Sequence, residues 1–561
     1  MNSPRQGIGN IPFICVQQGV KQAVISPGSR NAPLIISFNQ CKELTCLSIT
    51  DERSAGYFAL GIARASGNPV ALVCTSGTAA LNFGPAIAEA YYQNLPLVVF
   101  TADRPPEWID QADGQTIRQT ELFKNHVKQS FCLPVETSDV ADRWYHDRLV
   151  SHAVDLACQL PGGPVHINVP LREPLYTTMP PASDDTRIIR TLSARTDIPD
   201  DKAHDLAAKW KQAGKKLIIG GFGNPDKKLL HILNEINKDK SVVIIAENLS
   251  NLTDDSFIVA PERFFAAVSD DEGENFRPDL LITFAGAVVS KKLKQFLRLH
   301  RPKEHWNLSS SPACTDTYQS LTLNITTHPD LFFGKIISSG HAANASADYK
   351  RSFIQKEKEI RSKHLSYLRK APFSDLKAFE QILEMLPAET DLHLANSTPV
   401  RYAQLFQTRP DISYYSNRGT SGIDGCLSTA AGASYASGNP TTIIAGDLAF
   451  IYDSNALWNN YLTDHFRIIV MNNGGGNIFT LIETGEEMVS LKDYFVTPHQ
   501  VQIRHIAEAF GIKYYFCNDL ISLQKQLKIF FSVSGPSVLE IKSEEEVNTR
   551  IFKAYFRHLK Q

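Results

Sequence analysis

The sequence predicts an α/β protein of three domains, each a mostly parallel sheet flanked by helices. Three observations carry that expectation. Short apolar runs alternate with longer amphipathic ones, the pattern of βαβ units. This rhythm occurs three times, with two polar stretches between. And the pentapeptide ASGNP occurs at 65–69 and again at 436–440, 371 residues on (436 − 65).

In the first third, QAVI (22–25), LTCLSI (44–49), PVALVC (69–74) and PLVVFTA (96–102) read as buried strands, with helices over 52–65 and 78–92. Strands return at 215–224, 241–248 and 278–286, and again at 440–448 and 466–473. Residues 177–201 are rich in Pro, Ser, Thr and Asp, and 338–350 are small and polar, as exposed connections are. Domains are therefore expected at 1–180, 190–340 and 350–561. Each ASGNP should close a helix, with Gly67 or Gly438 at its C-terminal cap. A β-branched strand and a small-residue loop follow both copies, TSGTAA at 75–80 and AGDLAF at 445–450. The same shift superposes Gly61 on Gly432. Two unrelated helix–turn–strand units are the alternative; the matching surroundings favour duplicated end domains.

Composition narrows the function classes. The chain has 561 residues, 43% of them hydrophobic, enough for large cores. Lys and Arg total 57 against 59 Asp and Glu, without the basic excess of a nucleic-acid binder. Nine dispersed cysteines with no CxxC fit reduced thiols and a cytoplasmic location. The N-terminus lacks a signal-peptide layout, and no apolar run approaches the ~20 residues of a membrane span.

Parallel sheets bind ligands where their strands end, so the loops there are the places to look. Asp447 ends one strand of the third domain and Asn473 the next. A hard cation such as Mg²⁺ takes oxygen ligands shared between carboxylates and phosphates. Asp447, the Asn473 amide oxygen and a carbonyl of the following glycine run can supply three; an ordinary Asp cap and turn is the alternative. Glu52 opens a helix after a strand, which by itself reads as a carboxylate favoured by the helix dipole. The 371-residue shift superposes it on Ile423. Arg30, Arg104, Arg401 and Arg418 all sit in strand-end or Gly/Pro-rich loops. Each alone reads as a surface arginine; the four together suggest substrates with several carboxylates.

The spacing from GD at 446–447 to NN at 472–473 resembles the diphosphate motif of thiamine diphosphate enzymes, with Leu448 in place of the usual second glycine. That resemblance implies cofactor contacts at Gly446, Asp447, Asn473 and Gly475, with Asp447, Asn473 and Gly475 on Mg²⁺ or, as the alternative, Mn²⁺. It implies that Glu52 promotes the imino tautomer of the cofactor's pyrimidine and that Ile423 props the cofactor in its bent form. SPGSRNAPL, DERSAGYFALG, TSGTAALNF, TADRPPE, GPVHINVPLREPL and SNRGTSGIDG together resemble the 2-succinyl-5-enolpyruvyl-6-hydroxy-3-cyclohexene-1-carboxylate synthase family of menaquinone biosynthesis, over nearly the whole chain.

The family's activity is decarboxylation of 2-oxoglutarate and addition of the succinyl carbanion equivalent to isochorismate, in homo-oligomers with active sites between subunits. By the same resemblance, Ser29, Arg30, Arg104, Gln115 and Lys292 lie near isochorismate. Ser397, Arg401 and Arg418 lie near the succinyl part, and Ile478 and Phe479 line the pocket. The chain departs from the family pattern at Lys292, often Arg, at Ala449, commonly Ser, and at Gly474. GGFGN at 220–224 lacks a full dinucleotide fingerprint, so the central domain reads as structural. Another thiamine-dependent 2-oxo acid decarboxylase and a non-catalytic metabolite-binding regulator are the competing readings.

Overall fold

The computed structural model describes residues 3–192, 194, 196–340, 348–481 and 492–561. Most of the second polar connection, 341–347, lies outside them. Three parallel sheets flanked by helices make up the fold. The first contains β1 (Gln22–Ile25), β2 (Thr45–Ser48), β3 (Val70–Cys74), β4 (Leu97–Asp103), β5 (Ser130–Cys132) and β6 (Val165–Pro170), in the order 2-1-3-4-6-5. The central sheet contains β7 (Lys216–Gly220), β8 (Val242–Ala246), β9 (Leu280–Phe284), β10 (Glu304–Ser309) and β11 (Leu323–Thr326), in the order 11-10-9-7-8. The third contains β12 (Asp391–Leu394), β13 (Ser413–Tyr415), β14 (Thr441–Gly446), β15 (Phe466–Asn472), β16 (Lys513–Cys517) and β17 (Ser537–Lys542), in the order 13-12-14-15-17-16. Counted from its own first strand, the third sheet repeats the order of the first. Every residue of β3, β4, β7, β8, β9 and β15 is buried, which is why these strands read as continuous apolar runs.

The repeated pentapeptide does what its composition predicts. Helix Glu52–Ser66 ends at Gly67 with φ 68°, and helix Cys426–Ser437 ends at Gly438 with φ 69°. Both caps are left-handed, where glycine carries no Cβ penalty. These two helices pack against each other. A Cβ on Gly61 would lie 2.1 Å from Thr429 O, and one on Gly432 would lie 2.0 Å from Phe58 O. The residues superposed by the 371-residue shift thus form each other's contact. Ser54 Oγ lies 2.9 Å from Ser428 Oγ beside the crossing. One continuous core runs through both end domains, from Leu72 and Phe83 to Leu427 and Ile468.

One expected helix is two. Residues 78–92 divide into Thr78–Asn82 and Gly84–Gln93, because Pro85 has no N–H to continue the first and suits the start of the second. No helix among the described residues is long and apolar enough to cross a membrane.

Candidate functional site

The loops at the strand ends of β14 and β15 meet. Asp447 follows Gly446 directly and is 2% exposed. Its Oδ1 accepts from Leu448 N at 2.7 Å, and its Oδ2 accepts from Gly474 N at 2.8 Å and Gly475 N at 3.0 Å. His499 Nε2 stands 3.3 Å from the same Oδ2. Burial pushes the Asp447 carboxyl up; the N–H groups and His499 pull the other way. Asn473 donates from Nδ2 to Asp375 Oδ2 at 3.0 Å, which fixes its amide. Its Oδ1 is buried and accepts nothing among the described residues. An orphaned acceptor beside a carboxylate is the donor set a hard cation uses. Gly475 has φ 155°, and a Cβ there would lie 2.5 Å from Val496 O, so only glycine fits this loop. Ile478 is partly exposed and Phe479 is 40% exposed, its ring 5.7 Å from that of Phe495.

Glu52 opens the helix that follows β2 in the first domain, the position that Ile423 holds after β13 in the third. Asp51 caps its helix, accepting from Ser54 N at 3.1 Å. Glu52 is half-buried, and burial, with Asp51 adding, pushes its carboxyl up. Ile423, just before the partner helix, packs on the shared core.

The arginines form two groups. Arg30 is 5% exposed; it donates to Leu171 O at 3.0 Å and pairs with Glu173 at 3.1 Å. Its guanidinium feels Arg104, which itself pairs with Asp113 at 2.9 Å. Ser29 is exposed in the same loop. Gln115, at φ 54°, has its backbone against Gly77 in the TSGTAA loop. All of these belong to the first domain. Arg401 and Arg418 make the second group. Both are half-buried, and the Nε of each has no partner among the described residues. Arg418 donates from Nη1 to Asn396 Oδ1 at 2.9 Å. Burial lowers both guanidiniums, and Arg401 lowers Arg418 further. Ser397, at φ 77° and ψ −128°, lies in a region non-glycine residues seldom occupy; such strain gathers at functional sites. Lys292 is exposed, with its backbone N held by Glu262 at 3.0 Å.

Four residues escaped the sequence reading. Glu89, fully buried in the first domain, accepts from Gly419 N at 2.7 Å and Thr420 N at 2.6 Å, and so holds the loop carrying Arg418. A glutamate inside an apolar helix was its only signal. Asp375 orients Asn473 from a distant helix. Glu247 and Lys294 of the central domain lie within electrostatic reach of Arg401 and Arg418. The central domain therefore borders the arginine site as well as supporting the fold.

Duplicated parallel sheets, with an acidic loop after β14 and β15 of one and a glutamate opening the helix after β2 of the other, define a thiamine diphosphate enzyme. The N-terminal TPP binding domain of thiamine pyrophosphate enzymes matches residues 13–128, and the C-terminal TPP binding domain matches 397–541. Along nearly its full length the chain is similar to the 2-succinyl-5-enolpyruvyl-6-hydroxy-3-cyclohexene-1-carboxylate synthases of Flavobacterium psychrophilum (42% identity, 97% of both chains) and Porphyromonas gingivalis (40%, 99% of this chain and 98% of that one). It is also similar to that of Bacteroides thetaiotaomicron (37%, 100% of both). The chain belongs to this synthase family.

Proposed function

We propose that the chain decarboxylates 2-oxoglutarate and joins the remaining succinyl part to isochorismate. The product is 2-succinyl-5-enolpyruvyl-6-hydroxy-3-cyclohexene-1-carboxylate, a step of menaquinone biosynthesis, with release of CO₂. One observation carries the reading: two separate arginine groups, Arg30 with Arg104 and Arg401 with Arg418, match two substrates that each bring two carboxylates. Thiamine diphosphate, when bound, supplies the electron sink for loss of CO₂. Asp447, Asn473 Oδ1 and the Gly475 carbonyl would hold the Mg²⁺ of its diphosphate, and Gly446 would border that anchor. Glu52 would hold the proton at the pyrimidine N1′, and Ile423 would pack against the bound cofactor. Arg401, Arg418 and Ser397 bind the succinyl carboxylate. Arg30, Arg104, Gln115, Ser29 and Lys292 orient isochorismate, and Ile478 and Phe479 cover the pocket.

We place each site between two copies of the chain in a cytoplasmic homo-oligomer. This is the arrangement the family resemblance implies, and the two arginine groups lie in different domains, Arg30 in the first and Arg401 in the third. Tyr91, Tyr92 and Trp458 leave apolar surface exposed on the end domains.

The test is to supply thiamine diphosphate, Mg²⁺ and both substrates, then identify the product by mass. A simple decarboxylase would release succinic semialdehyde whether or not isochorismate is present. A non-catalytic regulator would turn over neither substrate. Sharing of sites is tested by mixing Glu52→Gln with Asp447→Ala chains under subunit exchange. About a quarter of all sites should then be intact. Mixtures that stay inactive despite exchange would show that each site lies within one chain.

A further inference from the structure

The helix Lys291–Leu299 of the central domain begins under tight control. Glu247, at the end of β8, accepts from Val289 N and Ser290 N, both at 2.7 Å. Glu262 accepts from Ser290 Oγ at 2.7 Å and from Lys292 N at 3.0 Å. Two carboxylates thereby fix how this helix is rotated. Leu293, Phe296 and Leu297 face the core, and Lys291, Lys292 and Gln295 are exposed. Lys292 and Lys294 lie on opposite flanks of the buried stripe, because two residues turn a helix by about 200°.

Lys294 lies on the flank whose charged neighbours include Arg401 and Arg418 of the third domain. It is half-buried, and its charged neighbours are Glu247, Arg418, Arg298 and Arg401, with burial lowering its ammonium. It makes no hydrogen bond or ion pair among the described residues. Glu247 is the common neighbour of Lys294, Arg401 and Arg418, and burial pushes its carboxyl up to about 7. Three cations are thus gathered around one buried carboxylate that already accepts two backbone hydrogen bonds. Half-buried like charges repel, and removing them from water costs more unless an anion completes the group. Arginine offers a fork to a carboxylate, and lysine adds a point charge.

We infer that Lys294 is a third cation for the carboxylate that 2-oxoglutarate keeps after losing CO₂, and that it helps select a dicarboxylic over a monocarboxylic 2-oxo acid. This inference rests on the proposed function. It assigns to the central domain a direct part in choosing the donor substrate.

The experiment uses the full chain loaded with thiamine diphosphate and Mg²⁺, and varies one substrate while the other is saturating. Lys294→Met should raise KM for 2-oxoglutarate by about ten- to a hundredfold, the effect of losing one charged hydrogen bond. KM for isochorismate should stay within about twofold. Succinate, a non-reacting dicarboxylate, should lose binding by a similar factor in calorimetry, a readout independent of turnover. Lys294→Arg should restore most of both. Lys292→Met should act on KM for isochorismate and not on that for 2-oxoglutarate. An unchanged KM for 2-oxoglutarate and unchanged succinate binding in Lys294→Met would overturn the inference, as would equal effects on both substrates. A wild-type chain that forms no product would overturn the proposed function instead, while succinate binding would still judge Lys294. If Lys294→Met unfolds, Lys294→Gln carries the same comparison.

Discussion

Gly432→Ala tests how the two end domains are joined. The new methyl would lie 2.0 Å from Phe58 O, 2.8 Å from Phe58 C and 2.9 Å from Phe58 Cα. A carbon needs about 3.3 Å from a carbonyl oxygen, so the helices must separate by roughly 1 Å. Phe58 presents backbone here, which cannot rotate aside as a side chain could. Overpacking of this kind costs about 1–3 kcal/mol. Against it stands the helix preference for alanine over glycine, worth about 1 kcal/mol. The net expectation is destabilisation by up to about 2 kcal/mol, lodged at the interface. Thermal unfolding followed by circular dichroism, at one fixed protein concentration, reads it. Gly61→Ala should behave alike, since its methyl would meet Thr429 O at 2.1 Å and Ala433 N at 2.8 Å. Gly438→Ala is the control: it meets nothing within 4 Å, so its only cost is the φ of 69°. If Gly432→Ala melted above the wild type, helix propensity would have won and the close crossing would be refuted.

Four further outcomes are expected. Glu52→Gln should still bind thiamine diphosphate but exchange the cofactor's C2 proton about 10²–10⁴-fold more slowly; normal exchange, measured by NMR, removes Glu52 from the chemistry. Asp447→Ala should weaken Mg²⁺-dependent cofactor binding in calorimetry, because the cation loses its anionic protein ligand; unchanged affinity contradicts the metal assignment. Arg401→Ala and Arg418→Ala should impair use of 2-oxoglutarate more than of isochorismate, and Arg30→Ala the reverse; equal effects in all three defeat the division of roles. Asp453 is fully buried, and burial raises its carboxyl to about 7 against hydrogen bonds from Ser428. A raised carboxyl contributes stability that is complete below its unfolded value near 4 and is lost as pH rises through 7. The melting temperature should therefore fall between pH 5 and pH 8, and fall less in Asp453→Asn; identical slopes would exclude Asp453 as a source.

The strands were legible because parallel strands buried on both faces read as unbroken apolar runs, and β3, β4 and β15 are of that kind. The duplication was legible because a left-handed helix cap demands glycine in both copies, at Gly67 and Gly438. Asp447 and Asn473 could be found because strand-end loops sit near their motifs in sequence. Glu89 and Asp375 could not, since each acts on a loop 330 or 98 residues away. Lys294 was hidden for another reason. Neighbouring lysines look alike in sequence, and only the rotation set by Glu247 and Glu262 separates the exposed Lys292 from the half-buried Lys294.

The Gly61–Gly432 crossing also has a timetable. Its halves are 371 residues apart (432 − 61). At about 5–20 residues per second of synthesis, the second half follows the first by roughly 20–75 s. The first sheet is contiguous in sequence and can form early, but Gly61 and Phe58 then wait without their partner helix. For that interval the nascent chain displays the face that later becomes its core. A holding chaperone should find its site on helix Glu52–Ser66, and release should coincide with the emergence of helix Cys426–Ser437 from the ribosome.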